Sequence, residues 1–394
     1  MKRSDKEFQY YDICDMEFLG FICEAWNEGW FDEYSEDHFL IKILENRLDS
    51  FVGMTQLVNN NLNMWNFVDD NGNVNTKAFS NNFAINFSLK MSNLSRVFGK
   101  KCIEGFVKNQ LSAGKHNYTE DTFFEALSEI SILCFYSSLC NWDNCYYEPP
   151  KNGKSHDRNP EARFEIDSLS VNIEVKSPKF PHLDHANEKI VIPTILLSEK
   201  GRKLVSDYCK ENNLTYIAPR VLKLKDFLNS AASKFQKPSE KEYSFLYINW
   251  SYSDFPSNSF LEAWALLTNP INGILRKPEY AESIGVELDV FDKISAVIVY
   301  TESLEGIVFS SFQHVWQGNG ADQRFRMWVN EKMYPNNDSG CLDDIYELSR
   351  MNPTNYLNQY LMADFKSTNI DERAECWFHA KYINKLISEN ALAI

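Results

Sequence analysis

Between residues 162 and 177 the apolar pattern alternates with a strict period of two. Phe164 and Ile166 alternate with Arg163, Glu165 and Asp167, while Val171, Ile173 and Val175 alternate with Asn172, Glu174 and Lys176. Side chains on a strand point to opposite faces in turn, so each run predicts a half-buried strand and their closeness predicts a hairpin. A slip of one residue would turn the whole apolar set towards water, which fixes the register. Positions 164 and 166 then share a face with 171, 173 and 175, and Glu161, Arg163 and Glu165 join Glu174 and Lys176 on the other. The expectation is a hairpin with one apolar and one ionisable face.

Around this hairpin the period is 3.6. Thr122–Leu139 sets Phe123, Leu127, Ile130 and Leu133 on one broad face behind Asp121, a residue suited to cap it, and predicts a long, largely buried helix. Cys145–Glu148 follows, closed by Pro149 and Pro150. Beyond the hairpin, Glu199–Asn212 and Leu222–Phe235 predict helices, Tyr243–Trp250 a strand, Ser259–Leu267 a helix and Ile294–Thr301 a buried strand. This interleaving makes residues 118–318 an α/β core. Met16–Trp26 and Phe39–Leu57 have helical spacing and make 1–117 an acidic, mostly helical N-terminal region, with a turn-rich Asn/Asp run near its middle. Arg324–Lys332, Leu342–Arg350, Pro353–Phe365 and Asp371–Ser388 make 319–394 a helical C-terminal region.

Charge limits the partners. Forty Lys plus Arg against 55 Asp plus Glu gives a net charge of −15, which excludes a surface coated for non-specific nucleic-acid binding. A nucleic-acid site has to be local. Residues 198–237 hold nine bases against four acids, and Lys200, Arg202, Lys203, Arg220, Lys223, Lys225 and Lys234 are the candidates for a phosphate-facing surface. A 44% hydrophobic and 14% aromatic content excludes a disordered chain. The longest apolar runs fall far short of a membrane span, and no apolar segment follows the basic residues near Met1, so a cytoplasmic protein is expected. The nine cysteines are scattered and form no C-x-x-C, as expected of reduced thiols.

The ionisable face carries the chemistry. Glu174 and Lys176, two apart on a strand, point the same way, and Glu161 belongs to that face by register. Hydrolysing a phosphodiester calls for a hard cation held by carboxylate oxygens, with a lysine beside it to favour deprotonated water. The ordered set FFEALSEI, YYEPP, Asn159-Pro160-Glu161 and, after ten residues, NIEVKSP resembles the PD-(D/E)xK nuclease superfamily. The likeness covers Thr122 to Pro178 and continues loosely through the helix ending Ser230–Gln236 and the strand Tyr243–Trp250.

The resemblance implies a restriction-endonuclease-like mixed sheet flanked by helices. It implies Glu161 and Glu174 as direct ligands of Mg²⁺, for which Mn²⁺ could substitute, with the backbone carbonyl of Val175 completing the site. Glu129 or Glu125 would be an outer ligand from the helix, and Lys176 the water-activating base. If so, Glu129, Glu161, Glu174 and Lys176 converge on one ion position. The implied activity is metal-dependent cleavage of nucleic acid, DNA ahead of RNA, by an endonuclease of restriction or antiviral defence, with a homo-oligomer or an activating protein as possible partners. Position 161 departs from the family, which usually has Asp after the proline. Asp167 is therefore a second candidate ligand, although it falls at the expected hairpin turn, and Arg163 opposite Glu174 in a structural ion pair is the arrangement of a site that has lost a ligand. In that case the chain would be a degenerate nuclease-fold module that binds nucleic acid or a protein.

Other features are weaker. His182-Leu183-Asp184-His185 reads as a loop, Gly318-Asn319-Gly320 as a turn, and Trp26, Trp30, Trp65, Trp316, Trp328 and Trp377 as core residues.

Overall fold

The computed structural model describes residues 2–6, 11, 13–47, 75–139, 142–150, 159–178, 207–208, 210–211, 220–250, 259–269, 273–300, 325–330 and 332–333. The chain divides into two compact units, one built on 1–147 and the other on 148–301 with the segment after 317. Its strands form one mixed sheet in sequential order: β1 (Asn144–Tyr147), β2 (Ala162–Ile166), β3 (Leu169–Lys176), β4 (Glu242–Asn249), β5 (Ala296–Tyr300) and β6 (Phe325–Val329). The α/β class follows.

The N-terminal unit is helical: α1 (Ile13–Met16), α2 (Gly20–Asn27), α3 (Phe39–Leu44), α4 (Thr76–Phe98), α5 (Lys100–Phe106) and α6 (Glu120–Leu139). Along α4, Phe79, Phe83, Phe87, Met91, Leu94 and Phe98 form a buried stripe at helical spacing, which packs on α2, α3 and α6. Asn75 caps it by accepting the Ala78 N–H at 3.0 Å. Helix α6 starts two residues before the sequence predicts. Its cap is Thr119, whose hydroxyl faces the Thr122 N–H at 3.4 Å, not Asp121, which lies in the first turn. Trp26 and Trp30 are core residues, and Cys23, Cys102, Cys134 and Cys145 carry free thiols.

A fully buried histidine helps tie this unit together. His38 Nδ1 accepts the Leu40 N–H at 3.1 Å, so Nε2 carries the proton and donates to the Leu111 carbonyl at 2.8 Å. Tyr34 and Tyr118 lie against the ring at 4.3 and 4.2 Å between centroids. Protonating Nδ1 would break the first bond, and burial pushes the imidazole down to about 4.

In the second unit β2 and β3 pair antiparallel with Phe164 opposite Val171 and Ile166 opposite Leu169. The predicted face assignment is therefore observed. Asp167 and Ser168 form the two-residue connection, Asp167 at φ 50°, a conformation its short polar side chain tolerates. Arg163 lies opposite Asn172, not Glu174, and pairs with Glu165 at 2.6 Å and Glu242 at 3.5 Å. The pairing of Arg163 with Glu174 does not occur, because the two-residue turn sets the register two residues away from it.

β3, β4 and β5 run parallel, and β6 returns antiparallel to β5. Helix α7 (Val221–Lys234) connects β3 to β4 and lays Leu224, Phe227, Leu228, Ala231 and Ala232 in one cluster with Leu246, Ile248, Val297, Val299 and Trp328. Helix α8 (Ser259–Thr268) packs beside α7 and on β5 and β6; α9 (Pro278–Ser283) and α10 (Val290–Lys293) follow. β5 is buried throughout and β4 is buried beyond Glu242, which fits their near-continuous apolar runs.

Two expectations need correction. β3 is buried on both faces apart from Lys176 at its end, so the β3 half of the hairpin's ionisable face is covered, while Arg163 and Glu165 on β2 stay half-buried. Residues Arg324–Lys332, expected to be helical, contain strand β6, so the region after 319 is not wholly helical. Trp328 pairs with Val297 across the sheet and joins the apolar cluster, while Asn330 ends the strand by donating to the carbonyls of Phe291 and Ile294, both at 2.9 Å. The predicted segments 342–350, 353–365 and 371–388, the Asn/Asp run, Trp65, Trp316 and Trp377, the His182–His185 loop and Gly318–Gly320 lie outside the described residues. Among the described residues no helix is long and apolar enough to cross a membrane.

Two outcomes follow from these placements. His38 is neutral in the fold and protonates near 6.5 when unfolded, so its contribution is present above that pH and is lost as pH falls to about 4. Urea denaturation should show a loss of roughly 3 kcal/mol over that window in the wild type that is absent from His38→Gln. Trp328→Ala should cost about 3–5 kcal/mol, and a loss below about 1 kcal/mol would contradict its place in the core.

Candidate active site

Continuing the β2–β3 register by one rung sets Glu161 opposite Glu174. Glu161 follows the buried Pro160, and its carbonyl accepts the Glu148 N–H at 2.9 Å. On the other side of Glu174, the parallel register aligns it with Leu246 and Lys176 with Ile248. Those two side chains belong to the cluster under α7. The carboxylate therefore lies on the same sheet face that α7 covers, and the end of α7 reaches it.

Glu174 is 0% exposed. Lys176 Nζ lies 2.5 Å and Lys234 Nζ 2.7 Å from the same oxygen, Oε1. Oε2 is buried with no hydrogen-bond partner among the described residues. Lys234 also lies 3.0 Å from Glu161 Oε1 and so bridges the two carboxylates. Burial, and then the nearby Glu161, push the Glu174 carboxyl up to about 7 against the pull of Lys176 and Lys234. For Lys234, burial alone would lower the ammonium, but Glu161 and Glu174 outweigh it and hold it above its usual value.

Glu148 adds a third acid at an exposed position. Partial burial and Glu161 raise its carboxyl, while Lys234 opposes the rise. Its backbone is in the left-handed region at φ 44°, directly before Pro149. Two hydrogen bonds hold it there: its N–H to the Glu161 carbonyl, and its carbonyl from Asn159 Nδ2 at 3.0 Å.

The structure thus brings together Glu161, Glu174 and Lys176. Val175 lies between the last two with its side chain on the opposite face. Asp167 is exposed in the hairpin turn, about 17 Å along the strand from the rung of Glu174 at ~3.3 Å per residue. Glu125 and Glu129 are on α6 in the N-terminal unit, Glu129 buried and Glu125 half-buried. Among the described residues no group of three His, Cys, Asp or Glu side chains is arranged to hold an ion. Two carboxylates meet, and an ammonium bridges them.

The basic segment is also placed differently. Lys200, Arg202 and Lys203 lie outside the described residues. Arg220, at the start of α7, is tied to Glu262 at 2.6 Å, and the Trp250 indole donates to the same oxygen at 3.1 Å. Lys223 lies over the Phe227 ring, and Lys225 pairs with Asp226 at 3.1 Å. Lys234, expected on a phosphate-facing surface, belongs to the carboxylate cluster. It lies three residues after Ala231 and seven after Phe227, on the buried stripe, and a charge at that position was the available signal. For Glu148 the signal was an acid ending a strand before two prolines.

An all-oxygen pair with one orphaned buried oxygen fits a hard divalent cation by the chemistry of its donors. Without such an ion, ionising Glu174 costs stability. Its unfolded value is near 4.5, so the penalty is absent below that pH and grows as pH rises to about 7. Glu174→Gln should therefore be more stable than the wild type at pH 8 without metal, by on the order of 1–3 kcal/mol, and the difference should vanish near pH 4. Denaturation at three pH values checks this. No protein-family model, curated protein or solved structure matches the chain.

Proposed function

We propose that the chain is a metal-dependent phosphodiesterase acting on nucleic acid, DNA ahead of RNA, with Mg²⁺ or Mn²⁺ held by Glu161 and Glu174. The observation that carries this reading is the meeting of Glu161, Glu174 and Lys176 at one end of the β2–β3 hairpin, with one buried carboxylate oxygen lacking a hydrogen bond. The order helix, strand, hairpin, helix, strand from α6 to β4 is compatible with the restriction-endonuclease-like fold implied by the sequence motifs. A role in restriction or antiviral defence, and a cytoplasmic location, belong to the same proposal.

In this reading a divalent ion supplies a Lewis acid for a phosphate oxygen and lowers the pKa of water. The protein's own residues do the rest. Glu174, fixed by β3 between two neighbouring strands, and Glu161, fixed by the hairpin, present their oxygens at a set spacing. Lys176 ends β3 where exposure begins, so its amino group lies between the buried carboxylate and an arriving phosphate. It is the group placed to handle the proton of the attacking water.

The Lys234 ammonium bridging Glu161 and Glu174 favours a second reading, a non-catalytic module that keeps the fold and binds nucleic acid or a protein. Cleavage of plasmid DNA and of labelled single-stranded DNA and RNA with Mg²⁺ or Mn²⁺ separates the two. Metal-dependent cutting that falls by at least about a hundredfold in Lys176→Ala and Glu174→Ala, both still folded, is the expected outcome. No cutting, together with no Mn²⁺ binding by calorimetry, selects the binding module.

A further inference from the structure

The two lysines of the cluster are not equivalent. Among the described residues Lys176 meets Glu174 alone, whereas Lys234 lies within 3.0 Å of an oxygen of both Glu161 and Glu174. A cation that took the Glu161 and Glu174 oxygens now bridged by Lys234 would occupy the region that its ammonium fills. The two side chains are also rooted differently. Lys176 is on the same strand as Glu174, while Lys234 is the last residue of α7, on a flexible four-carbon stem at a helix end. Glu148, Glu161 and Glu174 face two ammonium groups, and a doubly charged ion in place of one of them would add positive charge where the acids outnumber the lysines.

We propose that Lys234 is the resident counter-ion of the Glu161–Glu174 pair, and that a divalent cation binds by exchange with its ammonium, which swings out of the pair. This rests on the metal-binding reading above. The exchange is non-covalent: the ammonium leaves with its protons, and the charge it supplied is replaced by the ion. Lys234 thus sets the cation affinity of the site, and in the metal-free protein the carboxylate pair is countered by a cation of the chain's own.

The test is Mn²⁺ binding to the full chain by calorimetry, comparing wild type, Lys234→Met, Lys234→Arg and Glu174→Gln. Removing the competing charge in Lys234→Met should tighten Mn²⁺ binding by at least about tenfold. Lys234→Arg, which keeps the charge, should stay within about threefold of wild type, and Glu174→Gln should lose binding. A second measurement uses the wild type only, so it holds if Lys234→Met fails to fold: acetylation of lysines by an N-hydroxysuccinimide ester, read by peptide mass spectrometry. Saturating Mn²⁺ should raise labelling of Lys234 several-fold. Equal Mn²⁺ affinity in wild type and folded Lys234→Met, or unchanged Lys234 labelling at saturation, overturns the exchange and leaves the metal site standing. If the wild type and every variant bind no Mn²⁺, the metal site itself falls and the exchange falls with it.

Discussion

Glu174 has no contact with solvent, on a sheet face otherwise occupied by Leu246, Ile248, Val297, Val299 and Trp328. A carboxylate isolated there would cost several kcal/mol, and its raised pKa reflects that cost. The neighbouring elements are arranged to reduce it. β3 supplies Lys176 from two residues away, α7 supplies Lys234 from across the face, and the hairpin places Glu161 where it shares that second ammonium. The cluster therefore couples three elements that are far apart in sequence.

Helix α7 has two tasks that use different parts of one amphipathic sequence. Its stripe from Leu224 to Ala232 covers β4 and β5 and supplies the apolar burial. Its ends are fixed by charge, Arg220 to Glu262 at the start and Lys234 to the two glutamates at the finish. A cation at a helix C-terminus is further favoured by the backbone dipole. The ends are thus held by ion pairs and the middle by packing.

What could be read from the sequence followed from how local the determining pattern was. The β2–β3 register was legible because a period of two and a two-residue turn settle it within sixteen residues. β4 and β5 were legible as apolar runs too short for helices. β6 was not: Phe-Arg-Met-Trp-Val fits a short amphipathic helix as well as a strand, and only the open edge of β5 decides it. The burial of Glu174 could not be seen in the hairpin, since α7 lies more than forty residues later. The same separation hid Lys234, whose partners are 60 and 73 residues away. A count of bases in its segment placed it with surface lysines, whereas its position on the buried stripe of α7 decides its role.

The balance of energies bears on why such a cluster exists. Buried ion pairs contribute little to stability, and well-packed apolar residues in their place often leave a protein equally or more stable. Leu or Met at positions 174 and 234 would suit the surrounding cluster of Leu, Ile, Val and Trp side chains. Three acids raised or crowded by one another, a backbone at φ 44° before a proline, and a lysine drawn into an apolar stripe all work against the fold at one place. Strain and unmatched charge concentrated in one small region are expected where side chains are held ready for a ligand. A divalent cation would meet the unsatisfied oxygen and add positive charge where the acids outnumber the lysines, so that one ligand would answer both.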